Sequence, residues 1–143
     1  MARIKIDLPD AFRFSTTIPV RITDINYGRH VGNDAVLSII HEARMQFLAH
    51  YGYTEMEFAG VGMIMSDVGI EFKSELFYGD IVIASVTAAA FSKVGFELYY
   101  LLEKDSPGKK TTVAIAKTGM ICYDYEKKKI AAIPEDAKEK LSS

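Results

Sequence analysis

The chain has 143 residues, of which 49% are hydrophobic and 25% charged, proportions expected of one globular domain with a sizeable core. The formal net charge is −2 and no block of Lys or Arg occurs, so nucleic acid is not an expected partner. No apolar run approaches the roughly 20 residues that span a bilayer, and the polar N-terminus does not resemble a signal peptide. We therefore expect a cytoplasmic protein that has no membrane partner.

Residues 12–22 alternate between apolar and polar side chains, which predicts a half-buried strand. Pro19 lacks the N–H that a strand ladder needs, so this strand is expected at a sheet edge or at a bulge. A polar loop follows, in which the chain can turn sharply at Gly28 and Gly32. The loop leads directly into an apolar, helical pattern, and this arrangement is typical of a binding site. Free N–H groups at a helix start can bind an oxyanion or a polarised carbonyl.

The next element is predicted to be a helix of about four turns over residues 35–50, with Asn33 or Asp34 as its N-cap. Gly52 follows as a stop signal. The apolar side chains recur at spacings of three and four and cover a wide face: Val36, Leu37, Ile39, Ile40, Ala43, Phe47 and Leu48. A face of this width indicates a helix that is wrapped by a sheet.

The rest of the chain is predicted to form four antiparallel strands and a short C-terminal helix that begins near Pro134. The strands are expected over residues 62–76, 81–91, 95–104 and 111–125. Cys122 lies in the last of them, among apolar neighbours, and is expected to be a buried, inert thiol. The resulting fold class is α+β, one long antiparallel sheet around one central helix in a single domain over residues 1–143. Its exposed edge strand favours a homodimer, or a homotetramer built from dimers.

The loop and helix resemble the 4-hydroxybenzoyl-CoA/acyl-CoA thioesterase family of the hot-dog fold superfamily. That family carries the pattern Asp-x-Asp-x-x-x-His-Val-Asn-Asn, followed by a helix with Glu-Glu-Ala-Arg. The matching residues are Asp24, His30, Val31, Asn33, Glu42, Ala43 and Arg44. The resemblance covers most of the chain. It implies a hot-dog fold, hydrolysis of an acyl-CoA or acyl-carrier-protein thioester without a metal or other cofactor, and a site between two subunits.

The chain departs from the family pattern at Asn26, where the family has its catalytic Asp, and also at Gly32 and His41. An asparagine amide is neither basic nor nucleophilic, so three interpretations stay open. Another carboxylate takes over, or Asn26 and His30 orient a water, or the site binds a thioester without cleaving it. In the first two, His30 and nearby backbone stabilise the oxyanion.

Asp24, Glu42 and His41 are the candidate bases within the chain. Asp24 can equally be a structural residue that accepts backbone hydrogen bonds in the corner before the loop. Glu42 would suit a general base if it were buried, and the alternative, which we favour slightly, is an ion pair with Arg21 or Arg44. His41 carries an imidazole whose ordinary pKa suits proton transfer near neutral pH.

Candidate substrate contacts are spread along the chain. The Met-rich stretch 63–67 is expected to fill the core or to line an acyl or aryl tunnel. Its last residue, Asp67, is also a candidate for a carboxylate contributed by a partner subunit. Arg29, Lys73 and Lys93 are candidates for binding the phosphates of coenzyme A. No phosphate-binding Gly-rich loop, serine nucleophile motif or metal-ligand spacing competes with this prediction.

Overall fold

The computed structural model describes residues 3–142, and its main element is one antiparallel sheet of six strands. The strands are β1 (Phe14–Pro19), β2 (Gly62–Phe72), β3 (Ile81–Ala89), β4 (Gly95–Ser106), β5 (Lys109–Asp124) and β6 (Lys129–Ile130). The helices are α1 (Asn33–His50) and α2 (Glu135–Ser142), and a 3-10 turn spans Ile22–Asp24. Neither helix in residues 3–142 is long and apolar enough to cross a membrane.

The strand order is β1-β3-β4-β5-β2, and β6 pairs with the end of β5. β1 lies at one edge, as the position of Pro19 predicts, and β2 lies at the other. All four later strands are confirmed within a few residues. The short strand β6 is not predicted by the sequence, because its exposed, Lys-rich surroundings read as a turn.

Helix α1 packs on one face of this sheet, which confirms the predicted hot-dog fold. Ile40, Ala43, Phe47 and Leu48 are at most 1% exposed. The predicted N-cap is wrong: the helix begins at Asn33 itself, with Gly32 as its cap.

The end of α1 follows the predicted stop signal. Gly52 adopts a φ of +85°, a left-handed conformation that favours glycine. The N–H of Tyr53 donates to the carbonyl of Leu48 at 2.9 Å and so closes the last turn.

The helix does not cover the whole sheet. Val68 on β2 lies opposite Thr118 on β5, which is fully buried on the face that α1 packs against. Val68 is nevertheless 39% exposed, and its neighbours on the same strand, Met65 and Phe72, are 38% and 50% exposed. From Met65 to Phe72 the apolar inner face of β2 is therefore partly open, beside the edge of the sheet that carries no further strand among the described residues.

Candidate functional site

The loop before α1 is a small closed turn held by its own backbone. An isolated antiparallel bridge joins Ile25 to Val31, and the N–H of Asn26 donates to the carbonyl of His30 at 2.9 Å. Inside this closure, Asn26 Oδ1 accepts the N–H of Gly28 at 2.8 Å. Within residues 3–142 no group accepts a hydrogen bond from Asn26 Nδ2, so this amide is available as a donor.

Two further hydrogen bonds fix the loop at the start of α1. The N–H of Val31 donates to the carbonyl of Leu76 at 2.8 Å, and that of Gly32 donates to the carbonyl of Asp24 at 3.3 Å. Gly32 caps the helix without any side-chain hydrogen bond. The N–H groups of the first turn thus have no side-chain acceptor and, together with the helix dipole, favour a negatively charged oxygen.

His30 stands between the loop and a groove of about 270 Å³. We call it the His30 cleft; its lining includes His30, Asn33, Val36, Phe72, Lys73, Leu76 and Val113. Nδ1 of His30 lies 3.1 Å from the carbonyl oxygen of Val31. Because a carbonyl can only accept, this contact assigns a proton to Nδ1 and leaves Nε2 as the acceptor of the neutral ring.

Nε2 of His30 and the side chain of Asn26 face the same small space. A Cβ placed on Gly28 would lie 3.2 Å from Asn26 Oδ1 and 3.3 Å from His30 Nε2. Because Gly28 has no side chain, space remains between the side chains of Asn26 and His30. Asn26 and His30 are brought together next to the uncapped helix start.

A second groove, of about 340 Å³, contains the other predicted catalytic residues. We call it the Glu42 cleft; its lining includes Arg21, Asp24, Ile39, His41, Glu42 and Gln46. Glu42 accepts a hydrogen bond from Gln46 Nε2 at 2.7 Å, and His41 Nε2 lies 2.7 Å from Glu55 Oε1. The anticipated ion pair of Glu42 with Arg21 or Arg44 is wrong, because within residues 3–142 Arg21 pairs with Asp24 and Arg44 pairs with Glu55, both at 3.3 Å.

The two clefts lie on different sides of α1. Glu42 follows Asn33 by nine residues, which is about 13 Å along the helix axis and about half a turn around it. His41 is directed toward Glu55 rather than toward the loop. Within one chain, Glu42 and His41 therefore do not meet Asn26 and His30.

Asp24 is 6% exposed, and both of its carboxylate oxygens have partners. Oδ2 accepts the N–H of Arg21 at 2.8 Å, and Oδ1 forms an ion pair with the Arg21 guanidinium at 3.3 Å. Its own carbonyl accepts the N–H of Gly32. These contacts are those of a residue that shapes the corner between β1 and the loop.

The predicted substrate contacts are divided between the two ends of the sheet. Lys73 lines the His30 cleft and pairs with Glu71 at 3.3 Å, and Arg29 is exposed at the tip of the loop with a φ of +71°. Lys93 lies beyond the far end, next to Gly95, which pairs with Ile121.

The distance between these ends follows from the strand register. Phe72, beside Lys73, pairs with Ala114 of β5, whereas Gly95 pairs with Ile121 of the same strand. Seven residues of strand separate these two positions, about 23 Å. Asp67 lies between the ends, exposed at a bulge in the middle of β2, where its Oδ1 accepts the Ser66 hydroxyl at 3.1 Å.

One carboxylate at this site is absent from the sequence-based candidates. A Cβ on Gly32 would lie 2.7 Å from Asp34 Oδ1 and 3.6 Å from Asn26 Nδ2. The Asp34 carboxylate and the Asn26 amide therefore border the same space beside Gly32. The sequence contains a signal for it, an Asp directly after Asn33, but that position suggests a helix cap. No three His, Cys, Asp or Glu side chains in residues 3–142 are grouped as they would be around a metal ion.

Comparisons with known proteins agree with the fold. The model of the thioesterase-like superfamily matches residues 20–141, whereas curated proteins give no match. Three solved structures align over nearly their whole length. A hypothetical protein from Thermus thermophilus aligns at a TM-score of 0.78 and 25% identity, covering 90% of this chain and 96% of that chain.

Two of these structures are named thioesterases. The 1,4-dihydroxy-2-naphthoyl-CoA thioesterase from Synechocystis aligns at a TM-score of 0.80 and 18% identity, covering 91% of this chain and 96% of its own. An asparagine-for-aspartate mutant of 4-hydroxybenzoyl-CoA thioesterase, complexed with 4-hydroxybenzoyl-CoA, aligns at a TM-score of 0.81 and 14% identity. The alignment covers 90% of this chain and 97% of that chain. With the family match extending from the end of β1 to α2, the chain belongs to the thioesterase-like superfamily.

Proposed function

We propose that the protein hydrolyses an acyl-CoA or acyl-carrier-protein thioester to a free acid and a thiol, at the junction of the loop and α1. One observation carries the proposal: in a thioesterase-like chain, the uncapped start of α1 lies beside the side chains of Asn26 and His30, which both border Gly28. The first-turn N–H groups and Asn26 Nδ2 are the donors to the thioester carbonyl or the water, and His30 Nε2 is an acceptor beside them.

In the proposed mechanism the carbonyl oxygen accepts hydrogen bonds from the first-turn N–H groups of α1. Negative charge develops on this oxygen when the tetrahedral intermediate forms, so donors fixed in advance favour the transition state over the ground state. The free Nδ2 of Asn26 is a further donor to the carbonyl oxygen or to the attacking water. His30 Nε2, the acceptor of the neutral ring, can accept a hydrogen bond from that water.

The His30 cleft suits the acid portion and one end of the carrier. Val36, Leu76 and Val113 give it apolar walls for an acyl or aryl group, and Phe72 is exposed at its mouth. Lys73 stands at the same mouth as a cation for a phosphate of the carrier. Arg29, at the loop tip, is a second candidate for this role.

A homodimer through β2 would complete this cleft. The unpaired edge of β2 and the open apolar side chains of Met65, Val68 and Phe72 favour edge-to-edge pairing with a second chain. Phe72 belongs both to this surface and to the His30 cleft. The partner would then bring its own residues, including Asp67 and Lys93, to the open side of the cleft.

The alternative function is binding of a thioester without cleavage. Asn26 favours it, because an amide supplies no base at the position where the family has its catalytic Asp. A neighbour of this fold with an asparagine in place of an aspartate is complexed with its CoA thioester. That complex supports retention of ligand binding under such a substitution, whichever of the two functions applies.

Thiol release by the purified protein, measured with short-chain, long-chain and aromatic acyl-CoAs, separates these functions. Hydrolysis predicts turnover well above the buffer rate and a loss of about 100-fold in His30→Ala. His50→Ala, an exposed histidine at the other end of α1, is the matched control and should retain turnover. Saturable binding of a thioester with no thiol release across the panel would favour the binding function instead.

A further inference from the structure

The Asp34 carboxylate occupies the space beside Gly32 that a side chain at position 32 would otherwise fill. The position that a Cβ of Gly32 would occupy is 2.7 Å from Asp34 Oδ1, closer than real Cβ contacts come. Any side chain at position 32 would displace this carboxylate. Among the described residues, leaving aside the two chain neighbours of Gly32, the next atoms are those of Asn26 at 3.6 Å, so the Asp34 carboxylate lies nearest to this space.

Backbone conformation does not explain why position 32 is glycine. Gly32 has φ −74° and ψ 160°, extended values that any residue adopts. The family pattern carries Asn at this position and Asp at position 26, and this chain differs at both. The two departures meet in space, because Asn26 Nδ2 is 3.6 Å from the point that Asp34 Oδ1 approaches.

Asp34 differs from the other candidate carboxylates within the chain, Asp24 and Glu42, because its carboxylate has no protein partner among the described residues. Both oxygens of Asp24 bind Arg21, and Glu42 is occupied by Gln46 on the other side of the helix. The main-chain carbonyl of Asp34 accepts a hydrogen bond from the Ser38 hydroxyl. Within the described residues, the Asp34 carboxylate has no hydrogen bond or ion pair. It is exposed and can accept a proton from water.

We propose that Asp34 is the general base of this site, taking over the work of the carboxylate that Asn26 has replaced. The inference rests on the proposed hydrolysis. A water between Asp34 and Asn26 attacks the carbonyl carbon, and its proton passes to the Asp34 carboxylate. The tetrahedral intermediate then expels the thiolate, which takes that proton from Asp34 and leaves as the thiol, so water and thioester give acid and thiol.

The test compares Asp34→Asn with wild type in steady-state thiol release. The variant keeps the size of the side chain but not its basicity, so kcat should fall about 100-fold or more while KM changes less than about threefold. Asp136→Asn is the matched control, since Asp136 is likewise an exposed first-turn Asp, of α2. Both variants lose the same helix-dipole interaction and should have similar Tm values.

A double variant guards against a purely structural effect. Asn26→Asp combined with Asp34→Asn returns a carboxylate to the loop and should recover at least about tenfold of the lost kcat. Full activity in Asp34→Asn would overturn the role of Asp34 while leaving the hydrolase function intact. Wild type that binds the thioesters but releases no thiol would overturn both, so the two failures are distinguishable.

Discussion

Arg44 Nη1 lies 3.2 Å from the hydroxyl of Tyr100, and this contact joins the central helix to the middle of the sheet. Both residues are almost completely buried. The Tyr100 hydroxyl also contacts Thr118 Oγ1 at 2.7 Å, while Nε of Arg44 pairs with Glu55 at 3.3 Å. Burial raises the pKa of Tyr100, so the phenol stays neutral and hydrogen-bonded. The contacts fix the position of α1 along its axis, and thereby the position of its N-terminus at the loop.

Removing the carboxylate of this network should destabilise the fold far more than removing its outer partner. In Glu55→Ala the buried Arg44 charge loses its counter-ion, which should lower the free energy of unfolding by about 3 kcal/mol. His41→Ala removes an exposed partner of the same carboxylate and should cost less than about 1 kcal/mol. Urea unfolding measures both, and equal small losses would show that Arg44 does not depend on Glu55.

A methyl group at position 32 tests the fit between Gly32 and Asp34 without altering either charge. Gly32→Ala fits the backbone, whose φ is −74°, so no left-handed strain arises. Its Cβ would push the Asp34 carboxylate away from Asn26, and kcat should fall at least about tenfold. Stability should change by less than about 1 kcal/mol.

Gly69→Ala is the matched control for that variant. Gly69 lies on β2, where a Cβ would make only ordinary contacts with Ile4 and Ile6. Thiol release and thermal unfolding measure the pair. Unchanged kcat in Gly32→Ala would mean that the position of Asp34 is irrelevant to turnover.

The fold could be predicted from the sequence because burial leaves local periodicities. Ile40, Ala43 and Phe47 recur at helical spacing, and they are the side chains that the sheet covers. The strand β6 could not be predicted, since its two-residue pairing with Tyr123 and Asp124 follows from the turn before it. In that turn Lys128 adopts a φ of +54°, a left-handed conformation that a run of lysines does not predict.

The candidate site could be predicted only where its residues are neighbours in the chain. Asn26 and His30 are brought together by one short loop. Glu42 lies on the same helix as the site but about two and a half turns beyond its start and on the other side, and His41 is directed toward Glu55. Both sides of that helix border a cleft. Which side contains the loop is decided by the packing of α1 on the sheet, a tertiary relationship. The use of Asp34 depends on a side-chain direction that a helix-cap signal does not reveal.

A charge on the inner face of β2 should prevent the proposed dimer. Val68→Lys places an ammonium group in the open apolar face beside the unpaired edge, where pairing with a second chain would bury it. The variant should elute as a monomer, with wild type as a dimer or tetramer, in size-exclusion chromatography with light scattering. Ile130→Lys, an exposed apolar strand residue on β6, is the control and should retain the wild-type state. A monomeric wild type would contradict pairing through β2.

Cys122 should be silent toward thiol reagents in the native protein, which matters because the proposed assay detects released thiol. Its side chain is fully buried, and burial raises the pKa of the thiol from 9.0 to about 11. Ellman's reagent at pH 8 should therefore label the chain only after denaturation. Rapid stoichiometric labelling of native wild type would contradict this burial.

The same pKa makes stability depend on pH in a defined window. The neutral thiol is favoured in the folded state, so its full contribution is present below the unfolded pKa of 9.0 and is lost as pH rises toward about 11. Between these values the unfolded chain ionises first, and the free energy of unfolding should fall by about 1.4 kcal/mol per pH unit from this group. Urea unfolding at pH 8 and 10.5 should thus show a larger loss in wild type than in Cys122→Ala. Equal losses would assign the alkaline instability to other groups, because Cys122→Ala lacks the ionising thiol and keeps every other titrating side chain.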